Sequence, residues 1–341
     1  MTDVTAPRGP SLTDVASLAG VSHQTVSRVV NQRPNVSEAT RQKVHAAIVE
    51  LDYRPNAAAR WLATGRTHSL GVLAGELGQY GPSSVLMGIQ EAARAAGYFL
   101  TVVTLKDYSE DAVGEALRGL LNHGVEGIIA ITPHVSALET LAKMPTSVPM
   151  VTAGGGHSLT GDVSLDQERG ASEAVHHLAN LGHRRIDYLA GPFDWVDSRR
   201  RLAGWRAGLR ERGLEDGGLH EGDWSAGSGY QIGMSLDLRD GPTAVFVAND
   251  EMALGLLKAL RERGCDVPRD MSVIGFDDAP GAAFYEPSLT TVRQEFHEVG
   301  KLCIETLIAN QPEHHDAVAG TTPHLVIRAS THVPPERSGA R

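Results

Sequence analysis

The chain has 341 residues, of which 41% are hydrophobic, 21% charged and 5% aromatic, and its formal net charge is −10. This composition supplies enough apolar material for sizeable cores, so it excludes a chain that is mostly disordered. No run reaches the roughly 18 to 20 apolar residues of a membrane span, and residues 1–8 lack a secretory pattern, so we expect a cytoplasmic protein. Cys265 and Cys303 lie far apart, so we expect neither a disulfide framework nor a thiolate metal site.

The sign of the charge differs between the two parts of the chain. Residues 1–66 contain eight Arg and Lys against five Asp and Glu, a net charge of +3, which leaves −13 for residues 67–341. Because nucleic acids are polyanions, only the first segment suits a nucleic-acid partner.

The first segment predicts three short helices. Thr13 is placed to cap a helix over Asp14–Ala19, Gly20 permits a sharp turn, and a second helix is predicted from about His23 to Val30. A third helix is predicted over Glu38–Leu51. Two short helices joined by a glycine-containing turn are typical of a helix-turn-helix unit.

The second of these helices has an apolar face and a polar face. The small side chains that can meet where the helices cross are Val15, Ala19, Val21, Val26 and Val30. The polar side chains that point away from that contact are His23, Gln24, Ser27 and Arg28. A polar face of this kind is what a DNA groove would meet.

A short linker follows. Pro55 ends any preceding helix, and Asn56 can cap a new helix over Ala57–Ala63. An isolated helix of this length is marginal in water, so the segment is expected to fold only with a partner.

From Ser69 onward, short apolar runs alternate with stretches of helical period. The predicted strands are Leu70–Ala74, Leu100–Leu105, Gly127–Ile131, Pro149–Ala153, Ile186–Ala190, Thr243–Ala248 and Met271–Phe276. The predicted helices are Val85–Ala96, Ala112–Asn122, Gly170–Leu181, Leu202–Arg212, Met252–Arg263 and Glu295–Ala309. This alternation predicts parallel sheets flanked by helices. The segment is too long for one open sheet, so we expect two lobes with a ligand cleft at the carboxyl ends of the strands.

Several motifs, in one order along nearly the whole chain, resemble the LacI/GalR family of bacterial transcriptional regulators. They are Leu12–Ala16, Ala19–Asn31, Val36–Ser37, Thr40–Arg41, Leu51–Asn56, Ala190–Pro192, Arg201–Trp205, Gly222–Ala226, Ala248–Asp250 and Gly275–Asp278. An ordered set of spaced motifs is far more specific than a single helix-turn-helix pattern.

The resemblance implies an all-α helix-turn-helix domain with a hinge helix, followed by a two-lobed α/β core like that of the periplasmic binding proteins. We place the DNA-binding domain at residues 11–55, the hinge helix and linker at 56–66, the sugar-effector-binding and dimerisation domain at 67–333, and a tail at 334–341. Palindromic half-sites require two recognition helices, so a homodimer is expected. The tail has no leucine heptads, which favours a dimer over a tetramer.

The resemblance also implies roles in DNA binding. His23, Gln24 and Arg28 match the base-reading positions, where Gln suits adenine and Arg suits guanine. The side chains expected to hold phosphate are Ser22, Thr25, Ser27 and Asn31, and those expected at the minor groove are Ala59 and Leu62. The alternatives are that the readers form only a solvated face, that Ser22 is an ordinary helix cap, and that Leu62 packs against the core.

For the effector, the resemblance points to the strand ends of the core. The matching residues are Arg201, Trp224, Asn249 and Asp277, with Gln294 and Phe296 as secondary positions. Carboxylate, amide and guanidinium groups bind paired sugar hydroxyls, and an aromatic ring covers the sugar face. The alternatives are a turn or cap at Asp277-Asp278, a helix cap at Asn249, and a solvated helix end at Arg199–Arg201.

The resemblance weakens over residues 74–82 and 130–165. An aspartate that the family places near strand Pro149–Ala153 is replaced by Gly154–Gly156, and Glu76 can supply a carboxylate nearby. These departures concern the identity of the sugar, for which a glycoside or disaccharide is favoured over a purine.

The predicted function is a transcriptional repressor of carbohydrate-utilisation genes, released from a palindromic operator by a sugar or glycoside. The alternatives are action with a co-repressor, activation, or a sugar receptor without a DNA role. An enzyme using Asp277 and Asp278 is disfavoured because no phosphate loop or nucleophile elbow is present. No catalytic residue, cofactor or metal is expected, and the pairs His176-His177 and His314-His315 are expected on a solvated surface.

Overall fold

The computed structural model describes residues 9–31, 34–54, 61, 65–154, 162–309 and 319–336. The chain forms two compact units, Met1–Thr67 and His68–Arg341. Among the described residues, no helix is both long enough and apolar enough to cross a membrane.

The first unit contains three helices, α1 (Leu12–Ala19), α2 (His23–Val30) and α3 (Glu38–Glu50). The predicted cap of α1 at Thr13 is wrong. Ser11 caps the helix instead, because Asp14 lies three residues later and its carboxylate accepts the backbone N–H of Ser11 at 2.8 Å. Gly20 ends α1 in the left-handed conformation, with φ 65°, which allows the sharp turn into α2.

The core of this unit lies where the three helices meet. Its fully buried members are Val15, Ala16, Val26, Val29, Val44, Ala47 and Tyr53, and the partly buried residues packed against them include Ala19, Val21, Val30, Ile48 and Leu51. The helix-turn-helix packing predicted from the valine spacing is therefore confirmed.

The second unit contains two six-stranded sheets. The first sheet, in lobe 1, has the order β11-β5-β4-β3-β1-β2, and all its strand pairs are parallel. Its strands are β1 (Ser69–Gly75), β2 (Phe99–Leu105), β3 (Ile128–Ile131), β4 (Met150–Ala153), β5 (Asp162–Leu165) and β11 (Ala319–Thr321). The helices of this lobe are α4 (Tyr80–Ala95), α5 (Glu110–Asn122), α6 (Val135–Lys143) and α11 (Phe296–Ala309).

Lobe 2 has the strand order β12-β10-β9-β8-β6-β7, and β12 is antiparallel to β10. Its strands are β6 (Ile186–Ala190), β7 (Leu219–Glu221), β8 (Ala244–Val247), β9 (Ser272–Asp277), β10 (Thr290–Arg293) and β12 (His324–Val326). Its helices are α7 (Gln167–Leu181), α8 (Val196–Glu211), α9 (Ala226–Ser235) and α10 (Asp250–Glu262), with a short 3-10 helix at Ala282–Phe284.

The two-lobed α/β architecture is as predicted, and every predicted strand has a counterpart. Several helices begin earlier than expected, since α4 starts at Tyr80 rather than Val85 and α8 starts at Val196 rather than Leu202. The first turns of both helices are rich in small or polar residues, so the hydrophobic period does not reach them. The short strands β5, β7, β10, β11 and β12 and the helices α6 and α9 were not anticipated.

The chain passes between the lobes three times, after β5, after β10 and after β11. The first two crossings run through residues 166–167 and 294–295, beside the carboxyl ends of the strands. The ends of the strands in both sheets therefore face a shared cleft, which is where ligands bind in sheets of this type.

The pair His176-His177 is not on the solvated surface that the sequence predicted. Both side chains are half-buried, with His176 Nε2 at 2.8 Å from a Glu211 carboxylate oxygen and His177 Nε2 at 3.1 Å from the Thr331 hydroxyl. Helix α7 turns both residues toward neighbouring elements, which the local sequence does not reveal. His314-His315 lies outside the described residues.

Candidate functional site

Helix α2 presents the side chains that the sequence assigned to DNA. His23, Gln24 and Arg28 are exposed, while Val26 and Val29 on the opposite face are buried. No described residue forms a hydrogen bond or ion pair with any of the three exposed side chains. Their donors and acceptors are thus available for base edges.

The short polar residues around α2 have partners within the helix. The Ser22 hydroxyl accepts the Thr25 N–H at 3.2 Å and lies 2.9 Å from the Thr25 hydroxyl, so Ser22 does cap the helix. Asn31 donates to the Ser27 carbonyl at 2.9 Å and to its hydroxyl at 3.3 Å. These contacts hold the helix ends, and the phosphate role stays a prediction. Ala59 and Leu62 lie outside the described residues.

In the second unit, a cavity of about 360 Å³ lies between the two lobes. Its wall from lobe 1 is mainly apolar and aromatic, and its wall from lobe 2 carries carboxylate, amide, guanidinium and indole groups. Five of the six predicted effector residues line it: Arg201, Trp224, Asn249, Asp277 and Phe296. The sixth, Gln294, is buried directly behind Asp277.

Arg201 is a buried residue in the second turn of α8, so the alternative of a solvated helix end is wrong for this residue. Its guanidinium donates to the Ala248 carbonyl and to Gln167 Oε1, the latter at 2.8 Å. The guanidinium carbon lies 4.1 Å from the centre of the Phe276 ring. The buried charge is therefore surrounded by a carbonyl, an amide and an aromatic face, with the Asp277 carboxylate 3.4 Å away.

Asp277 ends β9 and is one of the carboxylates that line the cavity. One of its oxygens accepts from Gln294 Nε2 at 2.6 Å and lies 3.4 Å from an Arg201 nitrogen. Burial raises the pKa of Asp277 to about 6, although Arg201 and Gln294 act in the opposite direction. The carboxylate is thus ionised at neutral pH yet can be protonated in mild acid.

Asn249 caps a helix and also lines the cavity, although the sequence analysis gave these two roles as alternatives. Its side-chain oxygen accepts the Met252 N–H at 2.9 Å and caps α10, while its side-chain nitrogen donates to the Trp224 carbonyl at 3.0 Å. The cap therefore fixes an amide at the wall of the cavity and anchors the loop that carries Trp224.

Two buried polar atoms at the cavity wall have no hydrogen-bond partner within the described part of the chain. They are the indole N–H of Trp224 and the hydroxyl of Thr132, in residues that are 4% and 2% exposed. A buried polar group without a partner costs about 1–3 kcal/mol, so its retention needs an explanation. Hydroxyl groups both donate and accept, so they are suited to partner an indole N–H and a threonine hydroxyl.

The backbone is strained at two of the predicted effector residues. Trp224 has φ 71° and Asp277 has φ 107°, in the left-handed region that side chains other than glycine rarely adopt. Strain of this kind persists only where surrounding contacts hold it, and it concentrates at ligand sites.

Gly191 makes room for the Trp224 ring. A Cβ at position 191 would lie 2.2 Å from the indole. We expect Gly191→Ala to displace the ring and to destabilise the fold by about 1–3 kcal/mol, as overpacking does. Effector titration and thermal unfolding would measure both effects.

Gly119→Ala is the matched control, because position 119 lies within α5 and its Cβ would meet nothing within 4 Å. That change should stabilise the protein by about 0.5–1 kcal/mol. If Gly191→Ala binds effector as well as the control does, Trp224 is not part of the site.

The aromatic wall on lobe 1 comes from Tyr80 and Phe296, whose rings meet edge to face at 5.6 Å. Glu76, suggested as a nearby carboxylate, does not line the cavity. It accepts a hydrogen bond from Tyr108 at 3.3 Å and lies 3.8 Å from His134 Nε2. The glycine run contributes Gly154 to the lining.

The two lobes touch beside the cavity. The Val135 N–H donates to the Asp194 carbonyl at 3.0 Å, and the Val196 N–H donates to the Pro133 carbonyl at 2.9 Å. His134 Nδ1 lies 3.1 Å from an Asp194 carboxylate oxygen. These contacts join the loop after β3 to the loop after β6.

Sequence reasoning missed several residues of the cavity. Trp195 stands 5.1 Å from the Trp224 ring centre to centre, and Asp197, Thr132 and Gln167 also line the space. Trp195 and Asp197 lie at the start of α8, the helix that follows β6, so the rule that ligands bind at strand ends could have found them. Thr132 and Gln167 carry no such signal, because each becomes informative only through its burial.

Two family models match the chain in order. The model of bacterial regulatory proteins of the lacI family matches residues 11–56, and the periplasmic binding protein-like domain matches residues 175–331. The lactose operon repressor of Escherichia coli (strain K12) is 37% identical over 337 residues, which span 97% of this chain and 92% of that repressor.

Solved structures also match the chain over nearly its whole length. The lac repressor dimer bound to operator and the anti-inducer ONPF has a TM-score of 0.87 and 37% identity, covering 95% of this chain and all of that one. The complex of the transcriptional regulator CelR with cellobiose has a TM-score of 0.70 and 30% identity, covering 94% of this chain and 99% of that one.

Three features indicate the same family. They are the helix-turn-helix unit, the two-lobed core and a sequence identity that extends over nearly the whole chain. The chain belongs to the lacI family of bacterial regulatory proteins.

Proposed function

We propose that this chain is a dimeric, operator-binding repressor of carbohydrate-utilisation genes that a sugar or glycoside releases from DNA. The observation that carries the effector part is the interlobe cavity, where a buried Arg201–Asp277 pair lies beside two unpartnered polar atoms, Trp224 Nε1 and Thr132 Oγ1. Neutral hydroxyl groups can both donate and accept, so they match a wall that offers a carboxylate, a guanidinium and an indole N–H.

The chemistry of the two walls favours a glycoside or disaccharide over a single small polar sugar. Lobe 2 supplies the charged groups and the indole, whereas lobe 1 supplies the Thr132 hydroxyl and the apolar or aromatic side chains of Tyr80, Val85, Ile131 and Phe296. A ligand with one hydroxyl-rich end and one ring face or apolar end fits such a cavity. The likeness to the cellobiose complex of CelR and to the ONPF complex of the lac repressor agrees with this choice.

For DNA, we assign base reading to His23, Gln24 and Arg28, which α2 exposes together. A single copy offers few contacts, so two copies on a palindrome are needed for specific affinity. In this proposal Leu62 and Ala59 of each copy act at the minor groove, and an effector releases DNA because it binds better to the lobe arrangement that separates the two copies' hinges.

An enzymatic role for Asp277 and Asp278 is not favoured by their geometry. Asp278 turns away from Asp277 and accepts from Arg293 and Arg328, each at 2.6 Å. Two carboxylates with separate cationic partners do not flank one scissile bond as a glycosidase needs. We expect no hydrolysis of a nitrophenyl glycoside panel, and any turnover that depends on Asp277 would overturn this part of the proposal.

Effector binding should depend on pH through Asp277. Because the pKa of Asp277 lies at about 6, the carboxylate becomes protonated as the pH falls below that value and loses its charge-assisted hydrogen bonds to sugar hydroxyls. We therefore expect effector affinity to be constant near pH 8 and to decline below about pH 6. Titrations with one glycoside across this range measure the profile.

Protonation of Asp277 has the opposite effect on the stability of the fold. Its pKa in the folded state is raised above the ordinary value of 3.8, so the folded protein binds the proton more tightly. Its contribution to stability is therefore greatest at low pH and declines as the pH rises from about 4 to about 6. Asp277→Asn should remove both the pH dependence of effector affinity and the pH dependence of stability. If effector affinity in that variant still changes with the same midpoint, another group titrates.

Calorimetric titration of the full chain with glycosides, disaccharides and purines tests the effector class. Saturable binding of a glycoside or disaccharide, lost in Asp277→Ala, is the expected result. Binding of a purine with no response to sugars would contradict it.

A further inference from the structure

Four buried side chains behind the cavity form a ring of three hydrogen bonds and one ion pair. Arg201 Nε donates to Gln167 Oε1 at 2.8 Å, Gln167 Nε2 donates to Gln294 Oε1 at 2.9 Å, and Gln294 Nε2 donates to Asp277 Oδ1 at 2.6 Å. The Arg201–Asp277 ion pair closes the ring at 3.4 Å. All four residues are at most 9% exposed.

The direction of every hydrogen bond in this ring is fixed by its two charged members. A guanidinium can only donate and a carboxylate can only accept, so Gln167 must turn its oxygen to Arg201 and Gln294 must turn its nitrogen to Asp277. The two amides therefore have one orientation each, and neither can turn over alone without placing like groups against each other.

The two glutamines belong to different crossings between the lobes. Gln167 is the first residue of α7, directly after the crossing that leaves β5 of lobe 1. Gln294 lies between β10 of lobe 2 and α11, whose buried face packs into the core of lobe 1. The bond between the two amides thus joins two crossings that are 127 residues apart in sequence.

We propose that Gln167 is a positioning residue of the effector site, which fixes the guanidinium of Arg201 and, through Gln294, the carboxylate of Asp277. This inference rests on the proposed effector role of the cleft. By occupying Arg201 Nε and Asp277 Oδ1, the two amides leave Asp277 Oδ2 for the ligand, since Oδ2 has no hydrogen-bond partner in the described part of the chain. Ligand contact at this pair is thereby connected to two of the crossings between the lobes.

Two substitutions at position 167 separate positioning from packing. Gln167→Met keeps a similar side-chain volume but can neither accept from Arg201 nor donate to Gln294. We expect it to lower effector affinity tenfold or more. A role in packing alone predicts a lower Tm with effector affinity unchanged.

Gln167→Glu is the conservative partner of that variant. Its carboxylate still accepts from Arg201 but cannot donate to Gln294, so the Gln294 amide must turn over and present its oxygen to Asp277. Two oxygens tolerate this contact only when Asp277 carries a proton. We therefore expect the midpoint of the Asp277 titration to move to higher pH than in the unsubstituted protein.

That midpoint is measured in two ways, from effector affinity against pH and from the stability of the effector-free protein against pH. An upward shift in Gln167→Glu by both, together with weak effector binding in Gln167→Met, supports the positioning role. An unchanged midpoint in Gln167→Glu, or full effector affinity in Gln167→Met, overturns it. If the unsubstituted chain binds no sugar, the proposed function fails, while the effector-free measurement still tests the ring.

Discussion

Asp277→Ala is expected to abolish the response to effector while operator binding persists. The substitution removes the only carboxylate of the hydrogen-bonded ring and leaves Arg201 buried without its ionic partner. Removing one member of a buried ion pair typically lowers the free energy of unfolding by about 3–5 kcal/mol. The ligand also loses the carboxylate that would accept its hydrogen bonds. Effector affinity should therefore fall by roughly 100-fold or more, as measured by titration calorimetry.

An exposed ion pair in the same lobe provides the control. Asp216 lies 3.3 Å from Arg206, and both side chains are about half exposed. Because exposed pairs contribute at most about 1 kcal/mol, Asp216→Ala should change neither stability nor effector affinity appreciably. A normal effector response in Asp277→Ala would show that the effector binds elsewhere.

Arg28→Ala is expected to reduce specific DNA binding with little effect on non-specific binding. Arg28 is exposed on α2, one turn beyond His23 and Gln24, and it has no partner among the described residues. An arginine that contacts guanine contributes about 1–3 kcal/mol of discrimination, so affinity for the operator should fall by roughly tenfold or more. Fluorescence anisotropy on specific and scrambled duplexes measures both affinities.

The salt dependence separates base reading from phosphate contact. If Arg28 reads a base, the slope of log affinity against log salt stays unchanged, whereas loss of a phosphate contact lowers it by about one. Arg94→Ala, which removes an exposed positive charge from α4 of the other unit, is the matched control. An equal loss of affinity on both duplexes in Arg28→Ala would remove Arg28 from the base-reading set.

Much of the fold follows from local sequence. The valine spacing of residues 15–30 predicts the helix crossing, and the apolar runs predict the principal strands, because both patterns depend on neighbours within a few residues. The starts of α4 and α8 could not be predicted in this way. Their first turns have no apolar stripe and no side-chain cap, so they depend on the packing of the lobe.

The residues of the site also fall into those that local sequence predicts and those that it does not. Trp224, Asn249 and Asp277 lie at or shortly after strand ends, where a parallel sheet exposes side chains to a cleft, and Arg201 lies in the helix that follows β6. Gln167 could not have been predicted, because its two partners lie 34 and 127 residues away and meet it only in the folded chain. Thr132 likewise becomes a candidate only because its buried hydroxyl has no hydrogen-bond partner among the described residues.

One chain is expected to couple a sequence-specific DNA complex to the binding of a sugar in its interlobe cavity. The most direct measurement selects duplexes from a random library with the full chain, then follows anisotropy of the selected duplex at fixed salt with and without glycosides and disaccharides. The prediction is enrichment of a palindrome and release of the complex by a sugar, with release lost in Asp277→Ala. Binding that shows no sequence enrichment, or a specific complex that no sugar in the panel alters, would contradict it.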